Sequence, residues 1–325
     1  MATETVLLRR FFCGLVLACT AGLAGAQTWP VRPIRFVLPF AAGGSGDTFA
    51  RPLAAMLGEA LGQPILIENV AGAGGEMGAE QASKAAPDGY TFLMISNGHP
   101  IGETMYPRRK YRLLGDFVPV TELASISLAL VVNPAVPAKN TAELIALMKA
   151  QPGRFSYASS GVGTIYHLPM ELFKSMAGVD ILHIPYKSSA AARADVVGGQ
   201  VQMMMDSLAA MGPFIKSGQV RALGVGAAKR DEAFPNLPTI SESGLKDFTA
   251  DTWLGFMAPK GTPPAIVDRL QQEIAKIVAR PEVAAFYRSN GAVPVASRPE
   301  AFGLVIRAET AKWKKVIEEA GIKAE

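Results

Sequence analysis

Two glycine-rich turns carry the residues best suited to binding chemistry in this chain. The first, Pro39-Phe40-Ala41-Ala42-Gly43-Gly44-Ser45-Gly46-Asp47, follows an apolar run over 34–38 and precedes a helical pattern that starts at Thr48. Glycine lets a backbone turn tightly and approach a ligand closely. The free N–H groups at a helix start point into such a turn, beside the positive end of the helix dipole. The pattern therefore predicts a site that receives anions.

The same order of strand, turn and helix recurs in the second half of the chain. A strand pattern over 155–158 leads into Ser159-Ser160-Gly161-Val162-Gly163-Thr164, and a helical pattern covers 165–176. One glycine-rich turn is common in α/β folds and often binds nothing. Two of them, one in each half of the chain, predict a ligand held between two lobes.

Four side chains near these turns are candidates for contact with a ligand. Asp47 falls at the cap or first turn of a helix, where a carboxylate is favoured electrostatically even if no ligand binds. It can also accept a hydrogen bond from a solute or a water. Thr164 places a hydroxyl and an N–H at the start of the second helix. His167 follows on the face of Thr164, and either lines the cleft or packs within the lobe. Asp206 ends a strand, and either lines the site or caps a helix.

The motifs of catalytic, metal and nucleotide sites are missing from the sequence. Ser159 and Ser160 lack the Gly-x-Ser-x-Gly context of a nucleophile turn, and His99 and His183 have no partner at metal-binding spacing. The glycines of 72–78 fail the dinucleotide fingerprint, and no Gly-Lys-Ser/Thr follows either glycine loop. We therefore predict no catalytic residue, no metal and no cofactor.

The first 26 residues have the pattern of an export signal, in which two arginines precede an apolar run over 11–23 and a small-residue site at 24–26. The run is shorter than the roughly 20 residues that a membrane-spanning helix needs. Both cysteines, Cys13 and Cys19, fall inside it, which excludes disulfides and thiol chemistry from the mature chain. Lipidation of Cys19 is the alternative to cleavage after residue 26. The net charge of +4 comes from scattered basic residues, so nothing indicates a nucleic-acid partner.

The remaining pattern alternates strands and helices, which implies parallel sheets with right-handed crossovers. An apolar strand over 123–132 is long enough to pass from one lobe to the other, and a strand over 253–258 returns. Two passages favour closure about a hinge. Ser96 ends another strand, and such strand ends converge on the ligand crevice of an open parallel sheet. We predict an α/β protein with lobe one at 27–127 plus 250–325 and lobe two at 128–249.

A series of short motifs runs through the chain in a fixed order. They are Trp29-Pro30, Pro33-Ile34, Pro39-Phe40, Gly43-Gly44, Asp47, Ala50-Arg51, Asn69, Gly72-Ala73-Gly74-Gly75, Pro87-Asp88-Gly89-Tyr90-Thr91, Ser160-Gly161, Gly163-Thr164, His167-Leu168, Pro185-Tyr186-Lys187, Gly199-Gln200-Val201, Gly218, Arg221-Ala222-Leu223, Pro238-Thr239, Ala258-Pro259 and Gly261-Thr262-Pro263. Over essentially the whole mature chain this order resembles the solute-binding receptors of tripartite tricarboxylate transporters, the Bug receptor family. The chain departs from the family pattern at Ser188-Ser189 and over 98–112, which leaves the identity of the solute open.

The resemblance implies a monomeric, type II-like periplasmic binding protein with two crossovers at the hinge, each lobe a mostly parallel sheet flanked by helices. It implies closure on a small organic acid and delivery to the membrane permease subunits of a tripartite tricarboxylate transporter. The predicted ligand-binding residues are Phe40, Ala42, Gly43, Gly44, Asp47, Ser96, Ser159, Ser160, Gly161, Gly163, Thr164, His167 and Asp206. Two alternatives stay open: an exported α/β hydrolase or isomerase with Asp47 or His167 as general base, and a ligand sensor that docks on a signalling protein.

Overall fold

The computed structural model describes residues 29–40, 42 and 45–323, except for the side chains of Ser45 and Ala73. The strands are β1 (Ile34–Leu38), β2 (Ile65–Asn69), β3 (Thr91–Ser96), β4 (Phe117–Ile126), β5 (Leu128–Val132), β6 (Ser156–Ser159), β7 (Leu182–Pro185), β8 (Met203–Ser207), β9 (Arg221–Val225), β10 (Thr252–Pro259) and β11 (Ala292–Pro294). The helices are α1 (Ser45–Leu61), α2 (Glu76–Ser83), α3 (Gly98–Met105), α4 (Leu113–Asp116), α5 (Thr141–Ala150), α6 (Leu168–Ala177), α7 (Ser189–Val197), α8 (Leu208–Lys216), α9 (Pro264–Val278), α10 (Pro281–Ser289) and α11 (Pro299–Ala320). None of these helices is long and apolar enough to cross a lipid bilayer. The predicted export signal, with Cys13 and Cys19, lies outside the described residues.

The first sheet has six strands in the order β11-β4-β10-β3-β1-β2. Strands β1 to β4 share one direction, while β10 and β11 run against them. Both faces are covered, because Phe36 packs in the apolar cluster under α1 and α9 while its neighbour Val37 packs against α2 and α11. Buried faces on both sides explain why β1 and β3 read as continuous apolar runs.

The second sheet has five strands in the order β7-β6-β8-β5-β9, of which only β5 runs against the others. Leu130 faces the cluster that contains α5 and α6, and Val131 faces the cluster that contains α7 and α8. The predicted class, two α/β lobes with mostly parallel sheets flanked by helices, is confirmed.

The chain passes between the sheets at two places. Ser127 separates β4 of the first sheet from β5 of the second, and residues 226–251 lead from β9 to β10. The single strand predicted over 123–132 is therefore wrong, because it is two strands in two sheets. The long helix α11 joins both cores, since Phe302 packs with the first sheet and Trp313 with the second. The lobe boundaries at 127/128 and 249/250 stay a prediction.

Three helix starts near the turns differ from the predictions. Helix α1 begins at Ser45 rather than at Thr48. Helix α6 begins at Leu168 rather than at 165, because Gly163 has a left-handed φ of 71° and Pro169 suits the first turn of a helix. A third helix, α3, begins at Gly98, where no helix was predicted.

Candidate functional site

Asn69, at the carboxyl end of β2, organises the first glycine turn. Its Nδ2 donates to the carbonyl oxygen of Phe40 at 3.2 Å and to Oδ1 of Asp47 at 2.9 Å. Its Oδ1 accepts from Nη2 of Arg51 at 2.8 Å, and Nε of Arg51 lies 3.0 Å from Oδ2 of Asp47. Asp47 lies in the first turn of α1 and is 5% exposed. Its carboxylate is thus fixed by an amide and a guanidinium beside the helix start.

Phe40 closes over the backbone of this turn. A Cβ on Gly46 would lie 2.6 Å from the Phe40 ring, so the close approach requires glycine at position 46. Ala42 is exposed in the same turn. Gly43 and Gly44, which were predicted to bind the ligand, lie outside the described residues.

His99 joins Phe40 to the end of β3. Its ring meets the Phe40 ring edge-on, with 6.3 Å between the centroids, and its Nδ1 lies 3.2 Å from both the backbone N and O of Ser96. Ser96 is buried, and its hydroxyl accepts from the N–H of Gly98 at 3.4 Å. Burial and, to a smaller extent, the charge of Arg109 lower the pKa of His99 to about 4, although the hydrogen bond with the Ser96 backbone opposes them. Phe40 and Ser96, both predicted site residues, therefore lie on the two sides of one neutral imidazole.

The second turn is held by its own hydroxyl groups. Thr164 donates to the carbonyl oxygen of Gly161 at 2.8 Å and accepts from the Ser160 hydroxyl at 3.2 Å. The Ser159 hydroxyl lies 3.1 Å from both the N and the O of Gly161. The N–H groups of Ser160 and Val162 have no acceptor among the described residues. This turn therefore offers backbone donors, while its side chains are engaged in holding its shape.

His167 lies beneath the second turn, inside the lobe. It is 3% exposed, and its Nδ1 accepts the N–H of Gly163 at 3.0 Å. The ring stacks on His183 with centroids 4.0 Å apart, and the Tyr157 ring also stacks on His183, with centroids 4.8 Å apart. The sequence left two positions open for His167, lining the cleft or packing within the lobe. In the structure it packs within the lobe.

Asp206 is also buried, with no exposed surface. Nε and Nη2 of Arg193 both lie 3.0 Å from its Oδ2, and the N–H of Ser207 donates to Oδ1 at 2.7 Å. Burial raises the pKa of Asp206, whereas Arg193 and the Ser207 hydrogen bond lower it. The structure thus places Asp206 in an internal ion pair on β8, and no described hydrogen bond joins it to the glycine turns.

Helix α3 contacts both halves of the candidate site, since its His99 meets the Phe40 ring and its Met105 lies against Gly163. A Cβ on Gly163 would lie 2.7 Å from Cε of Met105, the last residue of α3. A cavity of about 730 Å³ borders the same helix, but residues 104–111 and the 322–323 segment line it, together with Glu76 and Glu80. No described residue of either glycine turn lines this cavity.

Comparison with known proteins decides the class to which this two-lobed chain belongs. Residues 49–322 match the family model described as the tripartite tricarboxylate transporter family receptor. This chain is a member of that receptor family. Protein BugT of Bordetella pertussis is 38% identical to the receptor over 95% of this chain and 96% of BugT, which agrees with the resemblance to the Bug family.

Two solved relatives of the receptor contain carboxylates. The R. palustris protein Rpa4515, solved with adipate, is 35% identical and superposes with a TM-score of 0.79 over 91% of this chain and all of that one. MatC from Rhodopseudomonas palustris, solved with bound malate, is 31% identical, with a TM-score of 0.74 over 89% of this chain and all of that one.

Among the described residues, the Ser159 hydroxyl lies 2.7 Å from Nε2 of His183, as a catalytic serine and its base would. A serine that an imidazole activates must still reach its substrate. Ser159 has no exposed surface, and its oxygen already contacts Gly161. The pair therefore supports the turn. Within the described part of the receptor, no group of three His, Cys, Asp or Glu side chains is arranged to hold a metal ion.

Four residues of the receptor's site region were not predicted to act there. Asn69 ends β2, and the rule that selected Ser96 at the end of β3 would have selected it too. The importance of His99, His183 and Arg193 depends on contacts with distant parts of the chain. No local sequence signal could have identified these three.

Proposed function

We propose that this receptor captures a small organic anion bearing one or two carboxylates between its lobes in the periplasm. It then delivers the solute to the membrane permease of a tripartite tricarboxylate-type transporter. The observation that carries the proposal is the pair of Ser160 and Val162 N–H groups without an acceptor in the described structure, on a turn ahead of α6. The adipate and malate in the two solved relatives support the same class of solute.

The proposed site combines both turns. Lobe one contributes Phe40, Ala42, Gly43, Gly44, Asp47 and Ser96. Lobe two contributes Ser159, Ser160, Gly161, Gly163 and Thr164, and the buried His167 and Asp206 complete it from within the lobe. In this arrangement the turns supply N–H donors, and the buried Asp47 carboxylate restricts which polar groups of the solute face α1.

The charge balance of the site favours a carboxylate. Arg51 and Arg193 are already paired with Asp47 and Asp206, so the solute is bound by neutral donors and helix ends. A helix end contributes about 0.3 to 2 kcal/mol and a charged hydrogen bond about 1.5 to 3 kcal/mol. These contributions suit one or two carboxylates better than the higher charge of a phosphate.

Calorimetry on the purified receptor tests the solute class. Adipate, malate and their amide derivatives are compared after a thermal-shift screen of organic acids, in which a ligand at a hundredfold excess over its Kd stabilises by about 2.7 kcal/mol. Replacing the recognised carboxylate by a carboxamide is expected to weaken binding at least about tenfold, or about 1.4 kcal/mol. Equal affinities for acid and amide would contradict carboxylate recognition.

Uptake measurements test delivery. Vesicles that contain the permease subunits should accumulate labelled solute only when the loaded receptor is added. A receptor that binds the acid tightly but fails to drive uptake with any permease from its own genome would favour the sensor alternative.

A further inference from the structure

The contact between Gly163 and His167 fixes where the imidazole carries its proton. A backbone N–H can only donate, so the 3.0 Å hydrogen bond from Gly163 requires an unprotonated Nδ1. Neutral His167 therefore carries its proton on Nε2. That nitrogen faces Oε1 of Glu171 at 3.8 Å, which is consistent with a proton on this side of the ring.

The stacked partner supports the other glycine of the turn. Nε2 of His183 lies 2.7 Å from the Ser159 hydroxyl, which lies 3.1 Å from the N–H of Gly161. The stacked rings therefore support both glycines of the turn, His167 directly at Gly163 and His183 through Ser159 at Gly161. Both glycines have a positive φ, 125° for Gly161 and 71° for Gly163. A turn that relies on two such residues needs outside support to keep one shape.

The groups around the rings keep both of them neutral. Burial lowers the pKa of His167 to about 3, with His183 and Lys174 adding to the effect. Burial likewise lowers the pKa of His183 to about 4, although Glu171 opposes it. Glu171 is itself engaged, because it accepts the Tyr157 hydroxyl and lies 3.0 Å from Nζ of Lys174.

The long helix α11 contributes one more charge to this neighbourhood. Glu319 lines the same surface groove as Glu171 and Lys174. Its Oε1 lies 3.8 Å from Nζ of Lys315 in the same helix, whereas the His167 ring is buried beneath the turn.

We propose that His167 is a positioning residue for the solute. Its neutral Nδ1 engages the Gly163 N–H and holds the turn in the shape that leaves the Ser160 and Val162 N–H groups for a carboxylate. The ring therefore selects which backbone donors of the turn meet the solute, although it does not touch the solute itself. This inference rests on the proposed function.

Two substitutions separate the hydrogen bond from the ring stack. His167→Asn places an amide oxygen near the position of Nδ1 and keeps the acceptor, whereas His167→Phe keeps an aromatic ring on His183 but has no acceptor. Adipate affinity, measured by calorimetry at pH 7, should stay within about threefold of wild type for His167→Asn and fall at least about tenfold for His167→Phe. The opposite order would show that stacking, rather than the hydrogen bond, is what the site requires.

Nuclear magnetic resonance on ¹⁵N-labelled protein tests the same contact without any solute. The His167 ring should show the Nε2–H tautomer and a nitrogen–nitrogen coupling to Gly163 across the hydrogen bond. The amide signals of Ser160 and Val162 should move in His167→Phe and stay in place in His167→Asn. A proton on Nδ1, or unmoved amide signals in His167→Phe, would overturn the proposal. Failure of wild type to bind any carboxylate, with these signals as expected, would instead overturn the proposed function and leave His167 as a positioning residue of the turn alone.

Discussion

Met105 fills the space into which a side chain on Gly163 would extend, since an added Cβ would lie 2.7 Å from Met105 Cε. Met105 ends α3, which follows β3 of the first sheet, yet it is 6% exposed and packs in the apolar cluster of the second sheet. The second glycine turn thus lies directly against an element that the first sheet positions. This close approach of the second turn to α3 depends on the absence of a side chain at position 163.

Gly163→Ala is predicted to destabilise the protein and to weaken solute binding. Alanine at a φ of 71° costs roughly 1–2 kcal/mol, and the clash with Met105 adds to this cost and moves the turn away from α3. We expect adipate affinity to fall at least about tenfold by calorimetry. Gly178→Ala is the matched control, because φ is 61° there and nothing lies within 4 Å of the added Cβ.

The double variant Gly163→Ala/Met105→Ala separates the clash from the backbone strain. It should bind adipate more tightly than Gly163→Ala, because the smaller side chain at 105 makes room for the new Cβ. Equal losses of affinity in the Gly163 and Gly178 variants would show that the contact with Met105 is unimportant.

Glu122 on β4 is predicted to make stability fall as the pH rises. Burial raises its pKa from 4.5 to about 7, with Asp251 and Glu309 adding to the effect. Between these values the folded protein holds a proton that the unfolded chain has released, so the free energy of unfolding decreases as pH rises from about 4.5 to 7. Glu122→Gln stays neutral and should flatten this part of the profile. At pH 8 it should be more stable than wild type by about 1–3 kcal/mol.

Urea unfolding at pH 5, 6, 7 and 8 measures this effect. Glu59→Gln changes an exposed glutamate of α1 and controls for the loss of a negative charge. An identical pH profile for wild type and Glu122→Gln would contradict the prediction.

Arg193→Leu is predicted to destabilise the second lobe, because it leaves the Asp206 carboxylate buried without its cation. Breaking a buried pair in this way costs about 3–5 kcal/mol, and the partial exposure of Arg193 places the expected loss near the lower value. Adding Asp206→Asn should restore most of the stability, as measured by urea unfolding. Additive losses in the double variant would show that the pair is not coupled. Adipate binding by the double variant then tests whether the Asp206 charge matters to the solute.

The sequence was sufficient to predict the fold class and both turns. Strand, glycine turn and helix follow one another within about 30 residues in each half, so local patterns identify them. The position at which the chain passes between the sheets was harder to predict. Ser127 separates β4 from β5, but the sequence is mainly apolar on both sides of it. Strand β5 is buried along its whole length and β4 has buried and half-buried residues in no regular alternation, so neither shows a period-two pattern that would reveal the break.

The support of the turns could not be predicted for a different reason. His167 directly precedes α6 and His183 lies on β7, and only folding stacks their rings. Arg193 and Asp206 likewise meet across two elements. In the sequence, His167 and His183 are isolated histidines and Asp206 is a carboxylate at a strand end. Each has a common structural role that needs no partner at a fixed spacing, so the sequence gives no sign that these side chains meet.

Asn69→Ala is predicted to release the first turn and to weaken solute binding. The substitution removes the donor to the Phe40 carbonyl oxygen and to Asp47, which leaves a 5% exposed carboxylate with one partner fewer. A lost hydrogen bond to a charged group costs about 1.5–3 kcal/mol. We expect a loss of stability of this size by urea unfolding, and adipate affinity at least about tenfold lower by calorimetry. Arg32→Ala is the control, since Arg32 and its partner Asp88 are both exposed and such a surface ion pair contributes at most about 1 kcal/mol. Wild-type affinity in Asn69→Ala would show that the turn containing Phe40 keeps its shape without the Asn69 amide. Helix α1 would then be the element that positions this turn.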